Sequence, residues 1–159
     1  MPHKTSDRAG MVRLRRGTWL ALCDGGKAVL AENTGSHDHP RLENREVLLN
    51  DNPPAHQLGS ERPGRVFSSV GKRRAAVEQT DLHAEAETDF LKRFAARIDQ
   101  CAAKGHDDII LVAPPQALGL LRPHLTGRAQ GALSAEVARN YVRLPLDEVA
   151  RRLAMAEFD

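Results

Sequence analysis

This chain of 159 residues is 41% apolar and 28% charged, and its formal net charge is +2. That length and composition are ordinary for one globular domain with its own hydrophobic core, and they exclude a fibrous or wholly disordered protein. The presence of only two cysteines excludes a disulfide-built scaffold, and no apolar run approaches the ~18 residues of a membrane helix. We therefore expect a cytoplasmic protein that is not associated with a membrane.

The first part of the chain is predicted to be a meander of three short strands. Residues 1–11 are polar without periodicity and are expected to form a flexible leader, followed by a single α/β domain over 12–159. Apolar runs predict the strands at 18–24, 27–33 and 42–49. Asp24-Gly25-Gly26 supplies the turn between the first two strands, and strands joined by short turns pair antiparallel.

A long basic connection follows the third strand and is predicted to be a loop over residues 50–80. Its stretch at 59–80 reads GSERPGRVFSSVGKRRAAVEQT. We name its five cations the cationic cluster: Arg62, Arg65, Lys72, Arg73 and Arg74. Residues 1–80 contain 13 basic and 9 acidic side chains, a balance of +4, so positive charge is concentrated in this half. A connection of this length in a small domain is usually functional or disordered.

The second half of the chain alternates helices with strands. Its clearest helix is predicted over 81–104, where Leu91, Phe94 and Ile98 recur at helical spacing on one apolar face. The later predicted elements are a buried strand at 108–113, a helix at 115–122, a Pro/Gly-containing connection at 123–131, a strand at 133–139 and a helix at 145–156. Strands linked by helices pair in parallel with right-handed crossovers. The predicted fold is a three-layer α/β domain of the ribonuclease-H-like kind, with a mixed five-stranded sheet built from a β-meander followed by αβαβα.

The cationic cluster predicts a polyanionic partner, RNA above all. Each phosphate that a Lys or Arg neutralises releases counterions, so such binding weakens as salt rises. Glycines in the same segment let the backbone approach a phosphodiester closely. Phe67, which lies within the segment, could stack on a base as in proteins that bind single strands. A solvated loop whose charges only maintain solubility fits the same residues, and this alternative stays open.

Asp24 and His83 are the catalytic candidates. In ribonuclease-H-like nucleases a carboxylate on the first strand helps to bind two metal ions, and His83, near the start of the predicted long helix, could act as a general base. Turn chemistry alone also explains an aspartate at position 24. Asp107 and Asp108 precede a parallel strand, so we expect them at the opposite edge of the sheet from Asp24.

Five strings spread over most of residues 12–155 carry a family resemblance. They are WLALCDGGKA at 19–28, ERPGRVFSSVG at 61–71, DLHAEAETDF at 81–90, DDIILVAPPQALGLLR at 107–122 and RNYVRLP at 139–145. Together they resemble the bacterial host-attachment protein family, which is similar in fold to the middle domain of archaeal and eukaryotic peptide chain release factors. In those factors the loop before the long helix carries a Gly-Gly-Gln tip that enters the peptidyl-transferase centre of the ribosome. This sequence has no Gly-Gly-Gln, so the resemblance implies the fold and a ribosomal context without peptidyl-tRNA hydrolysis.

These observations predict a non-catalytic accessory module that binds RNA or the ribosome through the cationic cluster and Phe67. The alternatives are a hydrolase of unknown substrate built around Asp24 and His83, and an indirect role in attachment to host cells. His37 and His39 have the spacing of a weak metal pattern without a nearby cysteine, so we predict no metal and no other cofactor. The sequence does not fix the oligomeric state.

Overall fold

The computed structural model shows the elements of an α/β domain. It describes residues 12–51 and 69–155, and from residue 69 to 81 it describes the backbone without the side chains. In chain order they are β1 (Trp19–Cys23), β2 (Lys27–Asn33), β3 (Leu42–Leu49), α1 (Ser69–Ala103), β4 (Ile109–Val112), α2 (Pro115–Leu121), a 3-10 helix (Arg122–His124), α3 (Gly127–Ala132), β5 (Leu133–Val137) and α4 (Leu146–Met155). The five predicted strands are thus confirmed, with small differences at their ends.

The strands form one mixed sheet in the order β3-β2-β1-β4-β5. β1 pairs antiparallel with β2, and β2 pairs antiparallel with β3, which is the predicted meander. β1 pairs in parallel with β4, so that Trp19 lies opposite Ile109 and Leu22 opposite Val112, and β4 pairs in parallel with β5. This confirms the predicted five-stranded mixed sheet.

Alternate side chains of the strands enter two separate cores. The core on one face includes Ala21 and Leu111 of the sheet with Phe90, Phe94, Leu118 and Ala129 of α1, α2 and α3. The core on the other face includes Leu22 and Ile110 of the sheet with Val149 and Leu153 of α4. Strands β1 and β4 are buried on both faces, as their nearly continuous apolar sequences require. The predicted three-layer arrangement is therefore confirmed.

The long helix begins earlier than its sequence pattern suggests. We expected a loop up to residue 80 and a helix from Asp81, but α1 begins at Ser69. The prediction was wrong because residues 72–79 are mostly good helix formers, which continue a helix without contributing to its apolar stripe. Lys72, Arg73 and Arg74 therefore belong to a helix rather than a loop. None of the helices within the described ranges combines the length and apolarity needed to cross a bilayer.

The connection at 123–131 also contains more helix than expected. It holds part of the 3-10 helix and most of α3. Thr126 caps α3, since its hydroxyl accepts a hydrogen bond from the backbone N of Ala129 at 3.1 Å. The sequence of this segment indicated a loop because it contains Gly127 and Gly131, and Thr126 was not recognised as a helix cap.

Both thiols lie inside the fold and are expected to be unreactive. Cys23 is fully buried, and burial together with the neighbouring Asp24 carboxylate raises its pKa far above the ordinary value. Burial raises the pKa of Cys101 to about 11. Because the thiolate is the nucleophile, an anionic disulfide reagent at pH 8 should modify neither cysteine in the folded protein and both in denaturant. Rapid modification of one equivalent under native conditions would contradict this packing.

Candidate functional site

The turn between β1 and β2 is organised by the carboxylate of Asp24, which is 5% exposed. Its Oδ1 accepts hydrogen bonds from the backbone N of Gly26 at 2.8 Å and of Lys27 at 2.9 Å. The backbone N of Asp24 donates to the carbonyl of Lys27 at 2.9 Å and closes the hairpin. An aspartate that bonds to the backbone two residues on is the expected organiser of such a turn.

Two segments distant in sequence fasten the same turn. Asn50, which follows β3, donates from Nδ2 to the carbonyl of Gly25 at 2.9 Å and from its backbone N to the carbonyl of Gly26 at 3.0 Å. Arg143, in the segment before α4, donates from Nε to Asp24 Oδ2 at 3.0 Å. The turn at the carboxyl end of β1 is thus held by its own side chain, by the chain beyond β3 and by the chain beyond β5.

These contacts decide what Asp24 can do chemically. Both of its oxygens accept hydrogen bonds, and one of them faces the positive charge of Arg143. A metal would have to reach the carboxylate at a nearly buried position, beside the positive charge of Arg143 and with most of its acceptor sites already used. The arrangement fits the turn interpretation of Asp24 better than the catalytic one, and catalysis by Asp24 stays a prediction.

Helix α1 lies directly against this turn. A Cβ placed on Gly25 would be 2.5 Å from Oε2 and 2.8 Å from Cδ of Glu87. His83 is one helical turn before Glu87, so the structure brings this second catalytic candidate to the same part of the fold as Asp24. The Nδ1 atom of His83 is buried and has no hydrogen-bond partner within the described residues, and the described partners of Asp24 do not include His83. The described structure therefore shows no hydrogen bond between the two candidates, and catalysis by either stays a prediction.

An open groove of about 480 Å³ runs beside the turn. It is lined by Asn50, Asp51, Ala86, Asp89, Lys92 and Arg93. Among the described residues that line it, two side chains are acidic and two are basic, and Arg93 also lies over the ring of Phe90 at 5.6 Å from the centroid. This described lining has no excess of charge that would select an anion or a cation.

The opposite edge of the sheet holds a different carboxylate. Asp108 Oδ2 accepts from the Thr18 hydroxyl at 2.7 Å, and its Oδ1 accepts from the Ser134 hydroxyl at 2.6 Å. Since β1 and β4 run parallel in register, Asp108 lies at their amino ends while Asp24 lies at the carboxyl end of β1. The prediction that these aspartates occupy opposite edges is confirmed, and it removes a shared metal centre for Asp24 and Asp108.

Within the described residues, no three or more His, Cys, Asp or Glu side chains come together as metal ligands. His37 and His39 are exposed in the loop between β2 and β3. A pair of exposed imidazoles is fewer than the three protein ligands that a catalytic zinc site commonly uses.

The cationic cluster is only partly within the described chain. Arg62, Arg65 and Phe67 lie outside the described residues. The backbone of Lys72, Arg73 and Arg74 follows shortly after the start of α1 at Ser69, whose first turn contains no acidic residue. The structure thus assigns three of the five cations to the start of one helix, and binding by the cluster stays a prediction.

Three residues of this region were missed by sequence reasoning: Asn50, Glu87 and Arg143. The sequence pattern placed Asn50 in a turn. It showed Glu87 only as one of several acidic residues near the start of a predicted helix. No local pattern links Arg143 to Asp24, because the pair is joined only when β4 and β5 have been added to the sheet.

Comparison with known proteins agrees with the architecture. The sequence model of the family described as bacterial archaeo-eukaryotic release factor family 12 matches residues 17–153, which include the whole sheet and all of α1. No curated protein matches this chain. The match confirms the resemblance to release factors, whereas the connection with attachment to host cells stays a prediction. With its release-factor-like fold and a family match over most of its length, the chain belongs to bacterial archaeo-eukaryotic release factor family 12.

Proposed function

We propose that this protein is a non-catalytic accessory module of translation that binds ribosomal RNA through the cationic cluster. The observation that carries the proposal is the position of Lys72, Arg73 and Arg74 at the start of α1 in a chain of a release-factor family. A release-factor-like family supports a role connected with translation, and the absence of Gly-Gly-Gln from the sequence argues against hydrolysis of peptidyl-tRNA.

Electrostatics at the helix start support an anionic partner. The amino end of a helix carries partial positive charge, because its first backbone N–H groups lack partners within the helix. Acidic residues are therefore favoured there, yet the first turn of α1 has none and three cations follow it. Without a bound anion, the partial positive charge of the backbone and the positive side chains repel each other at the start of the helix. A phosphate would be attracted by both, so binding would relieve the repulsion.

The length of α1 supports the same partner. The described side chains from 82 to 89 are exposed or half-buried, and Phe90 is the first that is fully buried. Among the side chains that the structure describes, Phe90 is thus the first core residue of α1, and the helix from Ser69 to Asp89 is about 30 Å long at ~1.5 Å per residue. Such a helix can carry charge away from the sheet, where a concave RNA surface could receive it. Arg62, Arg65 and Phe67 would add phosphate contacts and one stacking contact beside the helix start.

The proposal is tested by ribosome co-sedimentation with the full-length variant K72Q/R73Q/R74Q. We expect wild-type binding to weaken between ~50 and ~200 mM salt, because counterions are released when phosphates are neutralised. The variant should bind more weakly at low salt, and the slope of log affinity against log salt should fall by about 2 for three lost contacts with single-stranded RNA.

A matched control removes the same amount of charge from the body of the protein. Arg13, Lys104 and Arg128 are exposed and make no ion pair within the described structure, so R13Q/K104Q/R128Q also lowers the net charge by three. This control should retain wild-type affinity and salt slope. Equal weakening by both variants would show that only net charge matters, and unchanged binding of K72Q/R73Q/R74Q would refute the proposal.

A further inference from the structure

β3 is the strand at one end of the sheet. Among the described strands it pairs with β2 alone. Two of its side chains, Val47 and Leu49, are apolar yet 48% and 64% exposed. An edge strand presents unpaired backbone N–H and C=O groups, to which another strand can bond. The outer side of β3 is therefore a surface on which a further strand can add.

The direction of the backbone groups of β3 follows from the hydrogen bonds at its two ends. The backbone N of Thr34 donates to the carbonyl of Arg41 at 2.9 Å, and the backbone N of Asn50 donates to the carbonyl of Gly26 at 3.0 Å. In an antiparallel pair, residues that bond to the neighbouring strand alternate with residues whose N–H and C=O point away from it. Counted inward from both ends, the outward-pointing residues of β3 are Leu42, Asn44, Val47 and Leu49.

A bulge in the middle of β3 keeps these outward-pointing residues on one face of the sheet. The extra residue is Arg45, which has no counterpart on β2. On one side of the bulge Asn44 lies opposite Ala31, and on the other side Val47 lies opposite Val29. Ala31 and Val29 both belong to the core on the face that α4 covers. Since directly opposite residues share a face, all the outward-pointing residues of β3 lie on the α4 face.

These constraints leave one register in which β3 pairs antiparallel with β3 of a second copy. When Arg45 lies opposite Glu46 of the second copy, Leu42 lies opposite Leu49, and Asn44 lies opposite Val47. Every outward-pointing residue then meets another one on the same face. A shift by one residue sets outward-pointing residues against inward-pointing ones. A shift by two sets the bulge of each strand against a regular residue of the other.

Charge selects the same register. Arg45 and Glu46 are adjacent and of opposite charge, so this pairing places each of them against its opposite in the other copy. Within one chain Arg45 pairs with Glu32 at 3.1 Å, and Glu46 pairs with Arg97 at 2.8 Å. The side chains of Arg45 and Glu46 are still 40% and 33% exposed, which leaves room for a second partner. A strand of different sequence would not match both charges, so the edge favours its own copy.

We propose that the protein forms a homodimer in which β3 of two copies pairs antiparallel about a two-fold axis between Arg45 and Glu46. The two sheets then become one continuous sheet, and main-chain hydrogen bonds supply much of the affinity. Leu42, Val47 and Leu49 of both copies form one apolar strip on the α4 face. Because each copy uses the same edge, the assembly formed through β3 closes at two copies. The cationic cluster takes no part in this contact, so the dimer and the proposed function are separate claims.

The dimer is tested by sedimentation velocity of the full-length protein, in which wild type should be dimeric at ~100 µM. R45E and E46R should each weaken dimerisation at least ~10-fold, because either variant sets like charges opposite each other across the two-fold axis. In an equimolar mixture of R45E and E46R each of these contacts joins opposite charges, so a heterodimer should form. R122E is the matched control and should remain dimeric, since Arg122 is exposed and pairs with Glu136 of β5 at the other end of the sheet.

A second comparison leaves both charge pairs in place. Leu49 and Leu82 are 64% and 57% exposed, so neither L49K nor L82K should unfold the protein. L49K sets an ammonium group against Leu42 of the second copy and should weaken dimerisation, whereas L82K on α1 should not. This comparison decides the matter if R45E or E46R does not fold, which far-UV circular dichroism shows.

Three results would overturn the proposal. The first is a wild-type protein that stays monomeric at ~100 µM. The second is a dimer that is weakened by none of R45E, E46R and L49K, which would show that another surface holds the copies together. The third is a mixture of folded R45E and E46R chains that forms no heterodimer, which would exclude the register about Arg45 and Glu46.

Discussion

Replacing Phe90 with alanine should lower the free energy of unfolding by about 3–5 kcal/mol, the largest effect we expect from a single substitution in this protein. Phe90 is fully buried and belongs to the core formed by α1, α2, α3 and the sheet. Its removal deletes buried apolar surface and leaves a cavity that the sheet and neighbouring helices can fill only in part. It also removes the ring on which the Arg93 guanidinium lies. Urea denaturation of the two proteins measures the difference.

The matched control for Phe90→Ala is Leu82→Ala on the same helix. Leu82 is 57% exposed, so its truncation should change the free energy of unfolding by no more than about 0.5 kcal/mol. The contrast between the two variants tests where along α1 the side chains begin to pack in the core. Comparable losses for Leu82→Ala and Phe90→Ala would show that the amino-terminal part of α1 is packed against the body in solution, contrary to the structure.

Asp24→Ala should lower the free energy of unfolding by about 2–4 kcal/mol, the second large effect. The substitution leaves the N–H groups of Gly26 and Lys27 without this acceptor at a nearly buried position, and it removes the carboxylate to which Arg143 Nε donates. Arg143 keeps access to water, since 54% of its side chain is exposed, so the loss should be below that for a fully buried ion pair. Chemical denaturation with an unchanged m-value would confirm a simple loss of stability.

Two further variants separate the parts of the Asp24 effect. Asp24→Asn keeps an oxygen for the two N–H groups but loses the charge facing Arg143, so it should be destabilised about half as much. Asp107→Ala removes an exposed carboxylate and should change stability by less than about 0.5 kcal/mol. If Asp24→Ala were as stable as wild type, the turn would not depend on this carboxylate. That result would favour the catalytic interpretation of Asp24.

Local sequence patterns were sufficient for most of the fold. The apolar run from Ile109 to Val112 indicated a strand buried on both faces, and Asp24-Gly25-Gly26 indicated a hairpin, because both features depend on neighbours in sequence. The antiparallel pairing of the meander and the parallel pairing of the helix-linked strands followed from general rules on short connections and crossovers. The start of α1 could not be read in the same way, since its amino-terminal turns have no apolar stripe and contain Gly71.

The candidate site was less predictable, because its contacts are not local. Asp24 was recognised as either a turn residue or a catalyst, and only the bonds from Arg143 and Asn50 show how fully it is engaged. The close approach of Glu87 to Gly25 depends on how deeply a helix packs on a sheet, which a single sequence does not encode in any short pattern. The sequence showed the positive charge of the cationic cluster, but it did not show that α1 begins within the cluster, between Arg65 and Lys72.

During synthesis, the central strand β1 is made long before β4, the second strand with which it pairs. β1 contains Trp19, whereas its parallel partner in β4 is Ile109, so the meander emerges well before β4 is made. At ~5–20 residues per second, roughly 5–20 seconds separate the two strands. In that interval one edge of β1 and apolar side chains such as Leu20 and Leu22 are open to unrelated chains. We therefore expect the yield of folded protein to fall when this unfinished sheet is left unprotected during translation.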